Sequence, residues 1–252
     1  MGKVIAIANQ KGGVGKTTTA INLSASLAHL EEKVLLVDLD PQGNTTSGLG
    51  LEKTKIQQCV YNALITETPL EKIVLTTGRD YLDLVPATIQ LAGAEIELVS
   101  TVSREDKLRS ALNAVAKKYK YVVIDCPPSL GLLTINALTA AHEVLIPIQC
   151  EYYALEGLGQ LMNTVDLVKR HLNPRLTVGG VVLTMFDTRT NLSTQVAEEV
   201  KNYFKELVHR SIVPRNVRLS EAPSYGKPIL EYDYKSKGNE VYLKLAHEVI
   251  SK

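Results

Sequence analysis

Lys11-Gly-Gly-Val-Gly-Lys-Thr17 follows an apolar run, Val4-Ile-Ala-Ile-Ala8, and leads into a segment with Ala20, Leu23, Leu27 and Leu30 at helical spacing. Strand, glycine-rich loop and helix in that order make a phosphate cradle. Glycines let backbone N–H groups converge on an anion without Cβ clashes, and a helix starting at Thr17 turns its positive end towards it. The common pattern is G-x-x-x-x-G-K-[ST]. Gly15, Lys16 and Thr17 match its second half, but Gln10 stands at the first glycine position and an additional Lys11 precedes Gly12 and Gly13. Lys16 is expected to reach the β- and γ-phosphates, and the Thr17 hydroxyl to ligate Mg²⁺. Gly12, Gly13, Val14, Gly15 and Thr18 complete the expected nucleotide-binding set. One lysine suffices for the bound phosphates, so Lys11 wants another task.

Short β-branched runs alternate with helical stretches along the whole chain. Strands are expected at 4–8, 34–38, 82–85, 121–125, 144–148, 178–185 and 212–213. Several are apolar at every position, as strands covered on both faces are. Helical spacing recurs at Leu108, Leu112 and Val115, and again at Leu158, Leu161, Val165 and Leu172. This alternation predicts an α/β fold, a mostly parallel twisted sheet with helices on both faces. No repeat, low-complexity tract or Gly/Ser linker interrupts it, so residues 1–252 are expected to form a single domain.

Composition excludes more than it proposes. Hydrophobic residues at 45% and charged ones at 22% suit a soluble globular chain, and no run of 18 apolar residues offers a bilayer span. Only Lys3 precedes the first strand as a basic residue, no secretory leader fits, and a cytoplasmic location is expected. Cys59, Cys126 and Cys150 are odd in number and far apart, which fits neither a disulfide framework nor a C-x-x-C metal site. A net charge of +1 gives no global pull towards nucleic acid, so any such binding needs a local patch or one assembled by dimerisation.

Two carboxylate-ending strands accompany the loop. Tyr121-Val-Val-Ile-Asp125, followed by Cys-Pro-Pro, has the Walker B shape and puts Asp125 where open α/β sheets bind ligands. Val34-Leu-Leu-Val-Asp38 continues into Leu39-Asp40-Pro41-Gln42-Gly43-Asn44. Asp40 is assigned to orienting or activating the attacking water at the edge of the metal shell, with Asp38 supporting that shell. Spacing alone leaves an exchange of those two roles open.

Together, residues 11–17, 38–44 and 125–129 resemble the deviant Walker A ATPases, and most closely the ParA/Soj subgroup that segregates chromosomes and plasmids. Residues 86–97, 149–157 and 214–223 are similar to chromosomal Soj proteins in particular. The resemblance implies ATP and Mg²⁺ as ligands, with Thr17, Asp40 and Asp125 around the metal and Lys11, Lys16 and Asp40 serving hydrolysis. Lys11 matches the signature lysine that reaches the partner subunit's nucleotide in an ATP-dependent sandwich homodimer. Gly12 falls where two such loops approach, and Pro214 and Asn216 fall in the adenine-contacting loop. The resemblance further implies sequence-nonspecific binding of double-stranded DNA, nucleoid association, a stimulating ParB-type centromere-binding protein, and a link to a replication initiator.

For DNA, Arg189 and Arg218 are the first choices, with Lys201, Lys227, Lys235 and Lys237 behind them. Residues 201–252 hold ten Lys/Arg against six Asp/Glu. A MinD-like membrane ATPase is the main rival. Its class ends in a basic amphipathic helix, whereas residues 240–251 here carry Val241, Leu243, Leu245, Ala246, Val249 and Ile250 with Lys244 as the sole lysine before the end of the chain. That segment reads as a packed helix with no basic tail, so no membrane partner is expected. An electron-transfer ATPase would need cluster cysteines, which 42–46 lacks. A tyrosine kinase would carry a terminal tyrosine cluster, whereas Tyr225, Tyr232, Tyr234 and Tyr242 are dispersed.

Overall fold

Val34-Leu-Leu-Val-Asp38 and Tyr121-Val-Val-Ile-Asp125 are buried at every position, so both sides of their pleat must be covered. The computed structural model describes residues 2–151 and 157–252 and shows how this is done. Residues 152–156, within the 149–157 stretch noted above, lie outside the described residues. The first half runs β1 (Lys3–Ile7), α1 (Lys16–His29), β2 (Val34–Asp38), α2 (Asn44–Gly48), α3 (Val60–Ile65), β3 (Leu75–Arg79), β4 (Leu82–Val85), α4 (Leu91–Glu97), α5 (Lys107–Val115) and β5 (Tyr121–Asp125). The second half runs α6 (Leu132–Ala140), β6 (Glu143–Gln149), α7 (Leu158–His171), β7 (Thr177–Thr184), α8 (Asn191–Phe204), α9 (Val217–Glu221), α10 (Ile229–Tyr232) and α11 (Lys237–Ile250).

Among the described residues the strands form one seven-stranded sheet in the order β3-β4-β2-β5-β1-β6-β7. All neighbours are parallel except β3, which runs antiparallel to β4. One face is covered by α1 and α11 through Leu23, Leu27, Val241 and Leu245. The other is covered by α5 to α8 through side chains such as Leu112, Ala137, Leu161 and Val200. The mostly parallel sheet with helices on both faces is therefore as the sequence predicts. Chain direction across the sheet reverses at β1, because α1 carries the chain towards β2 while β5 hands over to β6 on the other side. Open α/β sheets bind ligands at such a point, outside the carboxyl ends of the strands.

Two expectations change. β3 was not foreseen, since Leu75-Thr-Thr-Gly-Arg79 is short, polar and half-exposed, and an edge strand shows no continuous apolar pattern. Its last residue anchors it: the Arg79 guanidinium donates to Leu49 O and Gly226 O at 3.0 Å each and pairs with Glu231. Residues 212–213 are not a strand. Val213 N–H does reach Leu183 O at 2.8 Å, but Pro214 follows and has no N–H with which to extend a ladder.

The last helix starts at Lys237, three residues ahead of the expected 240, because Ser236 Oγ accepts a bond from Gly238 N and caps it. Its apolar face packs on α1, and Tyr242 Oη lies 3.2 Å from Thr19 Oγ1 in the first helix. Leu245 is fully buried there, whereas Ile250 is 37% exposed. Truncating Leu245→Ala should lower the unfolding free energy by about 2–5 kcal/mol in denaturant titrations, and Ile250→Ala by much less. Equal, small losses would contradict the packing of this helix on the first.

Candidate nucleotide site

The loop after β1 is fixed at both ends by side chains. Asn9 Nδ2 donates to Pro147 O at 2.7 Å, and its Oδ1 accepts from Lys11 N at 3.0 Å. At the far end Thr184 Oγ1 donates to Val14 O at 2.8 Å. Gly13 and Gly15 hold φ of 74° and 88°, left-handed values that β-carbon-bearing residues adopt at a cost. Lys16 curls across the loop, its Nζ donating to Lys11 O at 2.9 Å. Burial pulls its ammonium pKa down, while the charges of Asp125 and Asp40 oppose the fall. A polyphosphate in the loop offers this ammonium a stronger acceptor than a single carbonyl.

Parallel pairing sets the carboxylates. Asp125 sits beside Ile7 on one side and beside Asp38 on the other. Asp125 Oδ2 accepts from Thr17 Oγ1 at 2.8 Å and from Thr45 Oγ1 at 2.7 Å. Its Oδ1 is buried and has no hydrogen-bond partner among the described residues. Asp38 is differently employed. It accepts from Thr46 Oγ1 at 2.6 Å, Thr46 N at 2.8 Å and Asp40 N at 3.2 Å, which ties down the 40–46 loop. Its carboxylate thereby holds that loop in place beside Asp125. Asp40 is nearly buried, with its Oδ1 accepting from Gln42 N at 2.9 Å.

Burial raises both strand-end carboxyls, Asp38 to about 7 and Asp125 to about 6, and the Asp125 charge pushes Asp38 further. An unsatisfied carboxylate oxygen beside the Thr17 hydroxyl is a hard-oxygen donor set that fits Mg²⁺. Among the described residues no three His, Cys, Asp or Glu side chains cluster to hold a metal by themselves.

Next to Gly15 and Thr18 a cavity of about 240 Å³ opens, lined also by Met185, Pro214 and Asn216. The loop and the 214–216 segment, distant in sequence, thus meet as expected. Asn216 also caps α9, its Oδ1 accepting from Arg218 N at 2.8 Å. Met185 carries a φ of 52°, the strained backbone common at ligand sites.

The six basic residues do not form one cluster of bare charges. Arg189 is held by Asp187 at 2.7 Å, Arg218 by Glu221 at 3.0 Å, and Lys237 by Glu240 at 2.7 Å. Lys201, Lys227 and Lys235 are exposed and make no ion pair among the described residues. Sequence reading passed over Asn9, Thr45, Thr46 and Thr184. Each acts through a bond to a residue far along the chain, and Thr45-Thr46 after Gly43-Asn44 carries no signal beyond that of a helix start.

A family model described as an AAA domain matches residues 2–178. The Bacillus subtilis (strain 168) sporulation initiation inhibitor protein Soj is 64% identical over 249 residues, covering 99% of this chain and 98% of its own. The Myxococcus xanthus (strain DK1622) chromosome partitioning protein ParA is 59% identical over 252 residues, 100% of this chain and 89% of its own. Among solved structures, cobyrinic acid a,c-diamide synthase from Mycobacterium smegmatis with bound ATP analog and magnesium is 38% identical with a TM-score of 0.88, covering 99% of this chain and 95% of its own.

The raised carboxyls have a consequence for stability. Between about pH 4 and pH 7 the native pair keeps protons that the unfolded chain releases, so its contribution is full at low pH and is lost as pH rises through 6 to 7. Asp125→Asn keeps an acceptor for both threonines and cannot ionise. Its Tm relative to the unsubstituted protein should therefore rise from pH 5 to pH 8, measured without nucleotide or metal. Taking the difference removes the opposite slope of the buried rings of His142 and His209, whose pKa values burial lowers. A difference independent of pH would refute the raised pair.

Proposed function

The chain belongs to the ParA/Soj family of chromosome-partitioning ATPases, and from that membership we propose that it works as a nucleotide-timed switch. ATP with Mg²⁺ closes two copies into a homodimer, the dimer binds double-stranded DNA without sequence preference, and hydrolysis releases it. The observation that carries this reading is at Gly12 and Lys11. A β-carbon added at Gly12 would meet nothing within 4 Å, so its own chain does not demand glycine there. Close approach of a second copy does. The Lys11 side chain makes no bond among the described residues, only its backbone N and O being used, which suits a group that reaches across an interface.

Within one copy, the loop from Lys11 to Thr18 takes the phosphates, and Pro214 and Asn216 border the base. Lys16 moves from Lys11 O to the phosphates, and Thr17 with Asp125 holds the metal, Asp40 standing at its edge. When bound, Mg²⁺ neutralises charge on the β- and γ-phosphate oxygens. Asp40, beside Lys16, orients the attacking water, and Lys11 of each copy adds positive charge at the other's nucleotide. Asp125, with its buried unpaired Oδ1, would serve the metal as a carboxylate ligand, and Asp38 would hold the neighbouring loop. The 1–252 chain acts as one domain in this scheme.

DNA contacts come from the C-terminal basic residues. Lys201, Lys227 and Lys235 meet phosphate directly, while Arg189, Arg218 and Lys237 exchange an intramolecular carboxylate for it. Two modest patches bind together far better than one, which makes DNA affinity follow dimerisation. A ParB-type partner stimulates hydrolysis through a basic segment, and a replication initiator is a second client. Among the described residues no helix is long and apolar enough to cross a membrane. The MinD-like alternative is disfavoured because the apolar face of α11 is already spent on α1. A cytoplasmic, nucleoid-associated location follows from this scheme.

DNA binding should be strong with ATP, weak with ADP, and absent with ATP in a Lys16→Ala variant, measured by filter binding or polarisation. Equal binding in all three would sink the switch. Gly12→Val should keep nucleotide affinity but abolish ATP-dependent dimers in light scattering, and dimers that persist in this variant would remove the close approach of the loops.

A further inference from the structure

A surface helix normally turns polar residues outward. α4 and the turns that flank it expose Glu97, Gln90 and Ser100, but also large apolar side chains beside them. Leu91, Ala94 and Leu98 face the core, while Ile89, Ala92, Ile96 and Val99 recur at helical spacing on the outside. Ile89 is 71% exposed, Ile96 78% and Val99 59%. Single exposed apolar side chains are ordinary, but a cluster of them marks a surface that a partner covers.

The rim of this face is acidic. Residues 89–106 contain Glu95, Glu97, Glu105 and Asp106 against one base, Arg104, which is itself paired with Glu105. Beyond it, a cavity of about 350 Å³ is lined by Glu71, by Glu67 paired with Lys107, and by Asp106 paired with Arg109. Glu95 and Glu97 make no ion pair among the described residues, the Glu97 carboxylate accepting only from Tyr61 Oη, and their charge disfavours nucleic acid and anionic lipid. A two-fold contact of the face with itself would bring two acidic edges together and supply no cation to Glu95 or Glu97, so a second chain is disfavoured as well.

The same segment touches both loops beside the phosphate site. Ala87 N donates to Thr46 Oγ1 at 3.0 Å, and Thr46 holds Asp38. Ala87 O lies 2.8 Å from the place a β-carbon on Gly43 would take. On the other side the Glu95 carboxylate presses on Gly131, where the loop after Asp125 enters α6, and its Oε1 is buried with no partner among the described residues.

We propose that the apolar surface of α4 and its flanking turns, formed by Ile89, Ala92, Ile96 and Val99 beside Glu95 and Glu97, is the docking surface for a cationic amphipathic peptide segment of the hydrolysis-stimulating partner. The inference rests on the partner reading given under Proposed function and adds the place. Apolar side chains of the segment cover the face, its Lys or Arg residues meet Glu95 and Glu97, and the contact bears on both loops through Ala87 and Glu95.

ATP hydrolysis by the full chain on DNA, titrated with the ParB-type protein of the same organism, tests this. An Ile96→Ser, Val99→Ser double variant should need about tenfold more partner for half-stimulation, with basal rate, ATP-dependent dimerisation and DNA binding unchanged. Glu97→Lys, which reverses one rim charge, should shift the same midpoint several-fold. Leu167→Ser, an exposed apolar site on α7, should leave it where it was. Stimulation of the double variant at ordinary partner concentrations would overturn the assignment. Loss of its ATP-dependent dimers would overturn it too, by showing that a second copy covers the face. Failure of the partner to stimulate the unsubstituted protein is a separate result, and removes the partner reading together with its docking site.

Discussion

Asp125 is a carboxylate with no exposure to water, and much of the site is arranged around its two oxygens. One oxygen is held by threonines from two directions, Thr17 at the start of α1 and Thr45 at the start of α2. The other has no partner among the described residues. Leaving a buried carboxylate oxygen unsatisfied costs free energy of the order of 1–3 kcal/mol or more, and such a cost persists where a ligand later relieves it. The phosphate loop and the 40–46 loop thus meet on a single atom, so anything that moves Asp125 is felt in both.

Parallel pairing is what makes this possible. β2 and β5 end together, which brings Asp38 and Asp125 side by side. Two neighbouring carboxylates without water do not both ionise readily. The chain responds by giving Asp38 three donors from the loop it precedes and Asp125 two threonine hydroxyls on one oxygen alone. Similar residues at similar strand ends thereby acquire different surroundings, one bonded through both oxygens and one with an oxygen unpaired among the described residues.

Fold and function are not the same conclusion here. A structure that superposes on nearly the whole chain carries the name of a diamide synthase, whereas chromosome-partitioning relatives are more similar in sequence. A phosphate loop on a parallel sheet serves many reactions, and function is decided by what is added to it. In the function proposed, the additions are Lys11 and Gly12 between two copies and the apolar surface around α4 against a partner.

The sheet was legible in the residues because strands covered on both faces must be apolar throughout, and β2, β4 and β5 have the bounds that their sequence predicts. Gly15-Lys16-Thr17 and Asp125 stand out in the sequence as well, because phosphate and metal chemistry restricts which side chains serve, and the fold brings the Thr17 hydroxyl onto the Asp125 carboxylate. The edge strand at 75–79 was not, because a strand with one paired side needs no apolar pattern. Nor were the tasks of Asp38, Thr45 and Thr46, or the ion pairs that occupy Arg189 and Arg218. Sequence by itself determined which chemical groups are present and the period of burial along each element. Only the tertiary structure decided which of those groups meet, because Asp38 and Asp125 are 87 residues apart along the chain and become neighbours through strand pairing alone.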